Sequence, residues 1–248
     1  MNAEATDPQV LEPVAARAWP AAETAAIGGW RLHASSGFSG RINACWPVAA
    51  PDRSIEAAIR FVEAWYAKRG LPPVFKIVDR GAEPAALVSG LAALGYRPRT
   101  ETVMMTGPLT PAADEAVRLS EQPDDGFRAV FVAANPGAAG DADERLSALR
   151  QMPQPRAFAR VELGGDTVGI GACASEGPFS GIFAMRTDPR HRRQGVARRI
   201  VGALMAAAAD AGATNAYLQV EADNTPARRL YEEAGLTEAY RYRYWRRF

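Results

Sequence analysis

A chain of 248 residues has room for one large domain or two ordinary ones, and 48% apolar with 23% charged residues is the composition of a globular protein with a sizeable core. A formal net charge of +1 gives no strong field for nucleic acid or for a membrane surface, so charge names no partner. The longest uninterrupted apolar run, residues 200–209, is far below the roughly 18 that a membrane span requires, and no basic-then-apolar leader opens the chain, so a soluble cytoplasmic protein is expected.

In chain order, residues 30–34 and 41–48 read as strands, 54–69 as a helix, 74–78 as a strand, 84–94 as a helix and 96–105 as a strand. Pro108 and Pro111, with Thr110, Ala112 and Ala113 around them, form a short linker without periodicity. Two helices at 124–134 and 141–151 flank a Gly-rich loop at 137–140. Residues 156–163 and 166–174 form a hairpin, because Gly164-Gly165 is a turn dipeptide between apolar runs. The strand at 180–187 ends at Asp188-Pro189, where proline stops the ladder and an Arg-rich loop, 190–194, begins. In the longest helix Val196, Ile200, Leu204, Met205 and Ala208 recur at three- and four-residue spacing, and Ala211-Gly212 suits a C-cap. A strand at 215–221 comes next. Thr225-Pro226 then supplies an N-cap and a first-turn proline for a helix carrying Leu230 and Tyr231 and ending near Gly235, and the tail from Leu236 alternates as a strand.

Helices crossing between strands in this order predict an α/β fold, a mixed α+β sheet flanked by helices. The same order occurs twice. Setting Gly70 against Gly212 aligns 74–78 with 216–220, and Gly95 against Gly235 aligns 96–105 with the tail. Two similar halves are expected, residues 1–110 and 111–248.

The sharpest local signal is Arg192-Arg193-Gln194-Gly195-Val196-Ala197, a loop that leaves a strand and enters the longest helix. The unpaired N–H groups and positive dipole end of a helix start favour an anion, Gly195 lets the backbone approach closely, and the small Ala197 leaves room for a pyrophosphate. Arg192, Arg193 and Arg198 add charge. A P-loop and a dinucleotide fold are excluded, since neither Gly-Lys-Ser/Thr nor Gly-x-Gly-x-x-Gly occurs.

Arg192-x-x-Gly195-x-Ala197 after the strand and Asp188-Pro189 resembles the pyrophosphate loop of the GNAT superfamily of acyl-CoA N-acyltransferases. The resemblance continues through Leu218-Gln219-Val220-Glu221-Ala222-Asp223-Asn224, Pro226-Ala227, Leu230-Tyr231 and Gly235-Leu236. It covers residues 115–248 and is motif-specific between Ile182 and Leu236; the N-terminal half resembles the family in layout only.

The resemblance implies two GNAT-like halves with central strands splayed at the cofactor site. It implies that backbone around Met185, Arg186 and Thr187 pairs with the pantetheine arm of acetyl-CoA. Amides and side chains of Arg192, Arg193, Gln194, Gly195, Val196, Ala197 and Arg198 would hold the pyrophosphate, and Asn224 would touch the cofactor arm. Tyr231 matches the tyrosine that protonates the departing thiolate. The implied reaction is direct transfer of an acetyl group to a primary amine, with a backbone N–H on the splayed strand stabilising the oxyanion. The acceptor is a small-molecule amine or a peptide N-terminus, met through loops such as 135–141 and 177–179. Some members carry a glutamate where this chain has Gln219. Strand alternation puts Glu221 on the same face as Gln219 and Tyr217, so Glu221 is the candidate base, with water as the alternative.

In the N-terminal half the equivalent loop reads Pro51-Asp52-Arg53-Ser54-Ile55-Glu56, without glycine and with acidic groups, so no cofactor is expected there. Trp30, Phe38 and Trp46 are its candidates for shaping a substrate site or for core packing, while Arg41 and His33 have no assignment.

Other classes find less support. There is no Gly-x-Ser-x-Gly elbow. His33 and His191 lack ligand spacing, so no metal is expected. Cys45 and Cys173 lack Cys-x-x-Cys spacing, which fits a reducing compartment. Arg241, Arg243, Arg246 and Arg247 interleave with Tyr240, Tyr242, Tyr244 and Trp245, but the period-two alternation suits a half-buried strand better than nucleic acid. A non-enzymatic acyl-CoA-binding or scaffold protein is the other reading, which the retained Tyr231 disfavours.

Overall fold

In the computed structural model, which describes residues 3–79, 85–133 and 140–247, the C-terminal strand does not end beside its sequence neighbours. It runs back into the middle of one open, eleven-stranded mixed sheet. The elements are α1 (Pro8–Ala18), β1 (Glu23–Ile27), β2 (Trp30–Ala34), β3 (Cys45–Pro47), α2 (Ile55–Ala67), β4 (Val74–Val78), α3 (Ala85–Ala93), β5 (Arg97–Pro108), β6 (Val117–Ser120), α4 (Asp125–Ala133), α5 (Asp141–Arg150), β7 (Arg156–Leu163), β8 (Asp166–Glu176), β9 (Phe179–Thr187), α6 (Val196–Asp210), β10 (Asn215–Glu221), α7 (Thr225–Glu233) and β11 (Thr237–Arg246). The mixed α/β class expected from the sequence is the one observed.

Sheet order is β1-β2-β3-β4-β11-β5-β10-β9-β8-β7-β6. Thus β11 pairs with β4, from Tyr242↔Val78 to Arg246↔Val74, while β5 pairs with β10, from Asn215↔Pro108 to Glu221↔Thr102. Each of these two long strands completes the sheet on the far side of the other, so one continuous sheet carries both sets of elements.

Side-chain alternation divides the core into two layers. On one face, Val103, Ile182 and Leu218 pack under α6 and α7, and Phe75 and Ile77 under α2 and α3. On the other, Met104, Phe183, Tyr217 and Tyr240 pack under α1, α4 and α5. Gly169 and Gly171 on β8 let α6 lie close: an added Cβ would stand 2.3 Å from Val196 Cγ1 at the first and 2.7 Å from Ile200 Cγ2 at the second.

Several sequence expectations are corrected. α1, β1 and β6 were not anticipated, and residues 41–48 form a 3-10 turn, Gly40–Ile42, followed by the short β3 rather than one strand. The N-cap of α7 is Asn224, whose side chain accepts from Ala227 N, with Thr225 inside the helix. Gly140 caps α5 in a left-handed conformation; 137–139 of the expected glycine loop, Ala134 of the preceding helix and Pro84 of the α3 region lie outside the described residues.

Candidate active site

The pairing of β9 with β10 lasts three residues, from Asn215↔Phe179 to Tyr217↔Gly181, and then the strands part. Beyond that point β9 stays with β8 and β10 stays with β5, opening a V in the sheet. β9 also carries a bulge: Ala184 has φ +54°, and the register with β8 slips between Ile170 and Ala172. A left-handed non-glycine residue and an extra residue in one strand re-aim the next side chains along it, Met185 and Arg186. The gap opens into a cleft of 610 Å³ lined by Ile182 to Arg186 of β9, Leu218 to Glu221 of β10, and Asn224, Ala227 and Tyr231.

Where β9 ends, Asp188 turns the chain by accepting from Arg190 N at 2.9 Å and pairing with the Arg190 guanidinium at 2.7 Å. Gly195 then opens α6 with φ +76°, and no side chain caps this end. The first-turn N–H groups of Val196, Ala197 and Arg198 therefore face outward, and a Cβ at Gly195 would meet nothing within 4 Å. Arg192, Arg193 and Gln194 are exposed beside them, and among the described residues neither arginine has a carboxylate within ion-pair distance. Arg198 differs, because its guanidinium pairs with Glu233 on α7. This open, left-handed entry fits a pyrophosphate. The corresponding first turn of α2 is closed, with Ser54 Oγ accepting from Ala57 N and Asp52 bound to Arg53.

Tyr231 packs in the α6–α7 core yet reaches the gap and lines the cleft from behind. Burial pushes its phenol up to about 12, against the pull of Arg186 and Arg41, so it is a neutral O–H donor at every ordinary pH. Glu221 stands at the exposed end of β10 on the cleft, and Asn224 lines the cleft while its side chain caps α7. Gln219 faces the same side, its Oε1 accepting from Tyr242 Oη at 2.8 Å.

The opposite wall draws on Phe38, a candidate for shaping a substrate site, and on Arg41, which the sequence left unassigned. Phe38 and Arg41 line the cleft, and Arg41 Nη2 donates to the Gln219 carbonyl at 2.8 Å. Their loop is clamped by Glu144 of α5, a buried carboxylate that accepts from Ser36 N (2.6 Å), Ser39 N (2.6 Å), Phe38 N (3.3 Å) and Asn43 Nδ2 (3.0 Å). Tyr242, Tyr244 and Arg246 of β11, with Arg145 of α5, complete the wall. Trp30 and Trp46 are core residues rather than cleft walls. His33 packs against Trp46 with the rings tilted and their centroids 4.5 Å apart, and it is held neutral, its pKa lowered to about 4 by burial and by Lys76. Of the expected acceptor loops, 177–179 is the β8–β9 turn at the far end of β9 from the cleft, and 135–139 lies outside the described residues.

A profile of the family described as "Probable histone acetyltransferase Rv0428c C-terminal" matches residues 6–245. The chain belongs to that family. It is 25% identical to the uncharacterized N-acetyltransferase YobR of Bacillus subtilis, over 96% of this chain and 98% of that one. It is 28% identical to the probable histone acetyltransferase Rv0428c of Mycobacterium tuberculosis over 86% of this chain, spanning only 65% of that longer protein. A GCN5-related N-acetyltransferase from Kribbella flavida shares its fold, with a TM-score of 0.67, 17% identity and 95% of both chains covered. The chain is a GNAT acyl-CoA N-acyltransferase, an enzyme rather than a scaffold. Among the described residues no helix is long and apolar enough to cross a membrane, and no cluster of His, Cys, Asp and Glu could hold a metal.

Proposed function

We propose that this acetyltransferase moves an acetyl group from acetyl-CoA directly to a primary amine. The observation that carries the reading is the uncapped, left-handed Gly195 entrance to α6 standing where β9 leaves the splayed gap. Amides from Arg193 to Arg198 and the side chains of Arg192, Arg193 and Gln194 would hold the pyrophosphate, an anion suited to a helix start. Backbone around Met185, Arg186 and Thr187, freed from β10 by the splay, would receive the pantetheine arm, with Asn224 beside it. The thioester supplies an activated acyl group, and the chain's residues supply orientation and proton movement.

In this reading the amine enters from the face of α1, α4 and α5, and Glu221 or water takes its proton. A β9 backbone N–H steadies the oxyanion as the C–N bond forms. Tyr231, kept protonated by burial, gives its proton to the leaving sulfur as the C–S bond breaks. Residues 1–110 form a cofactor-free half and 111–248 the catalytic half, a tandem arrangement supported by the repeated order of elements. The acceptor set comprises small amines, peptide N-termini and, by one relative's name, histones. A cytoplasmic setting accords with two free, buried thiols, Cys45 and Cys173.

Free-thiol release from acetyl-CoA in the presence of an amine panel tests the transfer. Amine-dependent release supports it; a protein that binds acetyl-CoA and releases no thiol with any amine contradicts it.

A further inference from the structure

The lining of the cleft is strongly one-signed. Arg41, Arg145, Arg186 and Arg246 line it, against Glu221 as the sole acidic lining residue among the described residues. Arg145 is answered by Asp141 at 2.7 Å, which still leaves the cations in excess. Three of these groups act on one another: burial lowers the Arg186 pKa first, and the charges of Arg145 and Arg41 lower it further, with Tyr231 and Asp141 acting in the opposite direction. Gathering like charges in a half-buried cleft is unfavourable unless something negative joins them.

The arrangement is also rigid. Arg41 is aimed by its bond to the Gln219 carbonyl, and its loop is fixed by the four donors gathered on Glu144. Asn43 Oδ1 ties the same loop by accepting from Ser35 N (2.7 Å) and Gly37 N (3.0 Å). A guanidinium held in this way is pre-organised for a planar or tetrahedral anion. Phe38, Phe131 and Phe183 supply apolar surface alongside.

We infer that the acceptor is a small amine that also carries an anionic group, a carboxylate or a phosphonate, received by Arg41 and its neighbouring arginines beside the reacting nitrogen. This rests on the acetyl-transfer reading and narrows it. The same positive field lowers the pKa of the bound amine, which favours its nucleophilic neutral form and lessens the need for a carboxylate at Gln219. It disfavours a lysine-rich tail, which would bring several more cations to the cleft.

Matched amines decide the matter in a thiol-release assay with acetyl-CoA: phenylalanine against 2-phenylethylamine, 2-aminoethylphosphonate against ethanolamine, and a lysine-rich histone-tail peptide. The first member of one pair is expected to exceed its partner without the anionic group in kcat/KM by at least about tenfold, the lower end for a charge-assisted hydrogen bond. Phenylalanine and the phosphonate tell the two anion sources apart. Arg41→Gln is expected to erase that advantage through KM, and Arg60→Gln, on the exposed side of α2, to keep it. If Arg41→Gln does not fold, Arg246→Gln carries the test. Equal or better turnover of the partners that lack the anionic group, or of the tail, overturns the inference and leaves acetyl transfer standing. So does a protein that binds acetyl-CoA and turns over neither anionic amine, or an Arg41→Gln loss shared equally by all amines. Absence of acetyl-CoA binding in calorimetry overturns both readings.

Discussion

Tyr242 Oη donates to Gln219 Oε1 across 2.8 Å, joining the last strand of the chain to the strand that borders the splayed gap. Tyr242 is fully buried on β11 and Gln219 lies half-buried on β10, with β5 between them in the sheet. The side chain at the position where some relatives of this fold carry a glutamate is thereby committed to a structural bond. Tyr242→Phe leaves the Gln219 amide oxygen without that donor, and urea unfolding is expected to show a loss of about 1–2 kcal/mol.

Glu144 ties α5 to the N-terminal loop that walls the cleft. Glu144→Gln replaces a carboxylate that accepts from three backbone N–H groups and Asn43 by an amide that can accept at one oxygen only. A destabilisation of about 2–3 kcal/mol is expected in chemical denaturation, as for hydrogen bonds to a charged group. The KM for the acceptor is expected to rise as well, because the loop carries Arg41.

Beneath α1, Glu12 and Lys76 form a fully buried ion pair, with Lys76 Nζ 4.1 Å from the Trp46 ring and 4.0 Å from that of Tyr242. Tyr240 Oη adds a donor to Glu12 at 3.0 Å. Lys76→Met strands the carboxylate and is expected to cost about 3–5 kcal/mol, whereas Glu12→Leu with Lys76→Met recovers most of the loss. A double-mutant cycle in urea measures both.

Much of the candidate site's geometry was legible because its features are local in the chain. The left-handed Gly195, the arginines before it and the periodic α6 stripe are adjacent in the chain, and period-two alternation put Tyr217, Gln219 and Glu221 on one face. What stayed hidden depends on pairing partners. β5 and β11 were readable as strands, but the exchange that inserts β11 between β4 and β5 is decided by tertiary packing, which no local pattern encodes. α1 was obscured by Pro8 at its start and Pro13 inside it, and by a buried Glu12 where an apolar residue would mark the core face. Glu144 reads as an ordinary first-turn acid of α5, since its donors come from residues more than a hundred positions away.

His33 sets an acid limit on stability. Its folded pKa, about 4, lies below the ordinary 6.5, so between these values the unfolded chain binds more protons than the folded one, and stability falls as pH drops through this window. The full interval corresponds to roughly 3 kcal/mol. Asp114 and Asp188, both held near 2 by arginine hydrogen bonds, lose their contribution below that window. Denaturation midpoints are expected to decline between pH 6.5 and 4 in the wild type and less steeply in His33→Asn.

Tyr231→Phe removes the proposed acid and leaves the ring. A fall in kcat of about a hundredfold is expected, the lower end for general acid catalysis. Because the phenol titrates near 12, the wild-type kcat is expected to hold level up to pH 10. A decline centred near 10 would contradict the buried acid.

Calorimetric titration of acetyl-CoA into the wild type and into Arg192→Ala/Gly195→Glu, which sets a carboxylate at the open start of α6, bears most directly on the account. Saturable one-site binding to the wild type, lost in a variant that still melts cooperatively, is the predicted result. No binding to the wild type, or equal binding to both proteins, would contradict it.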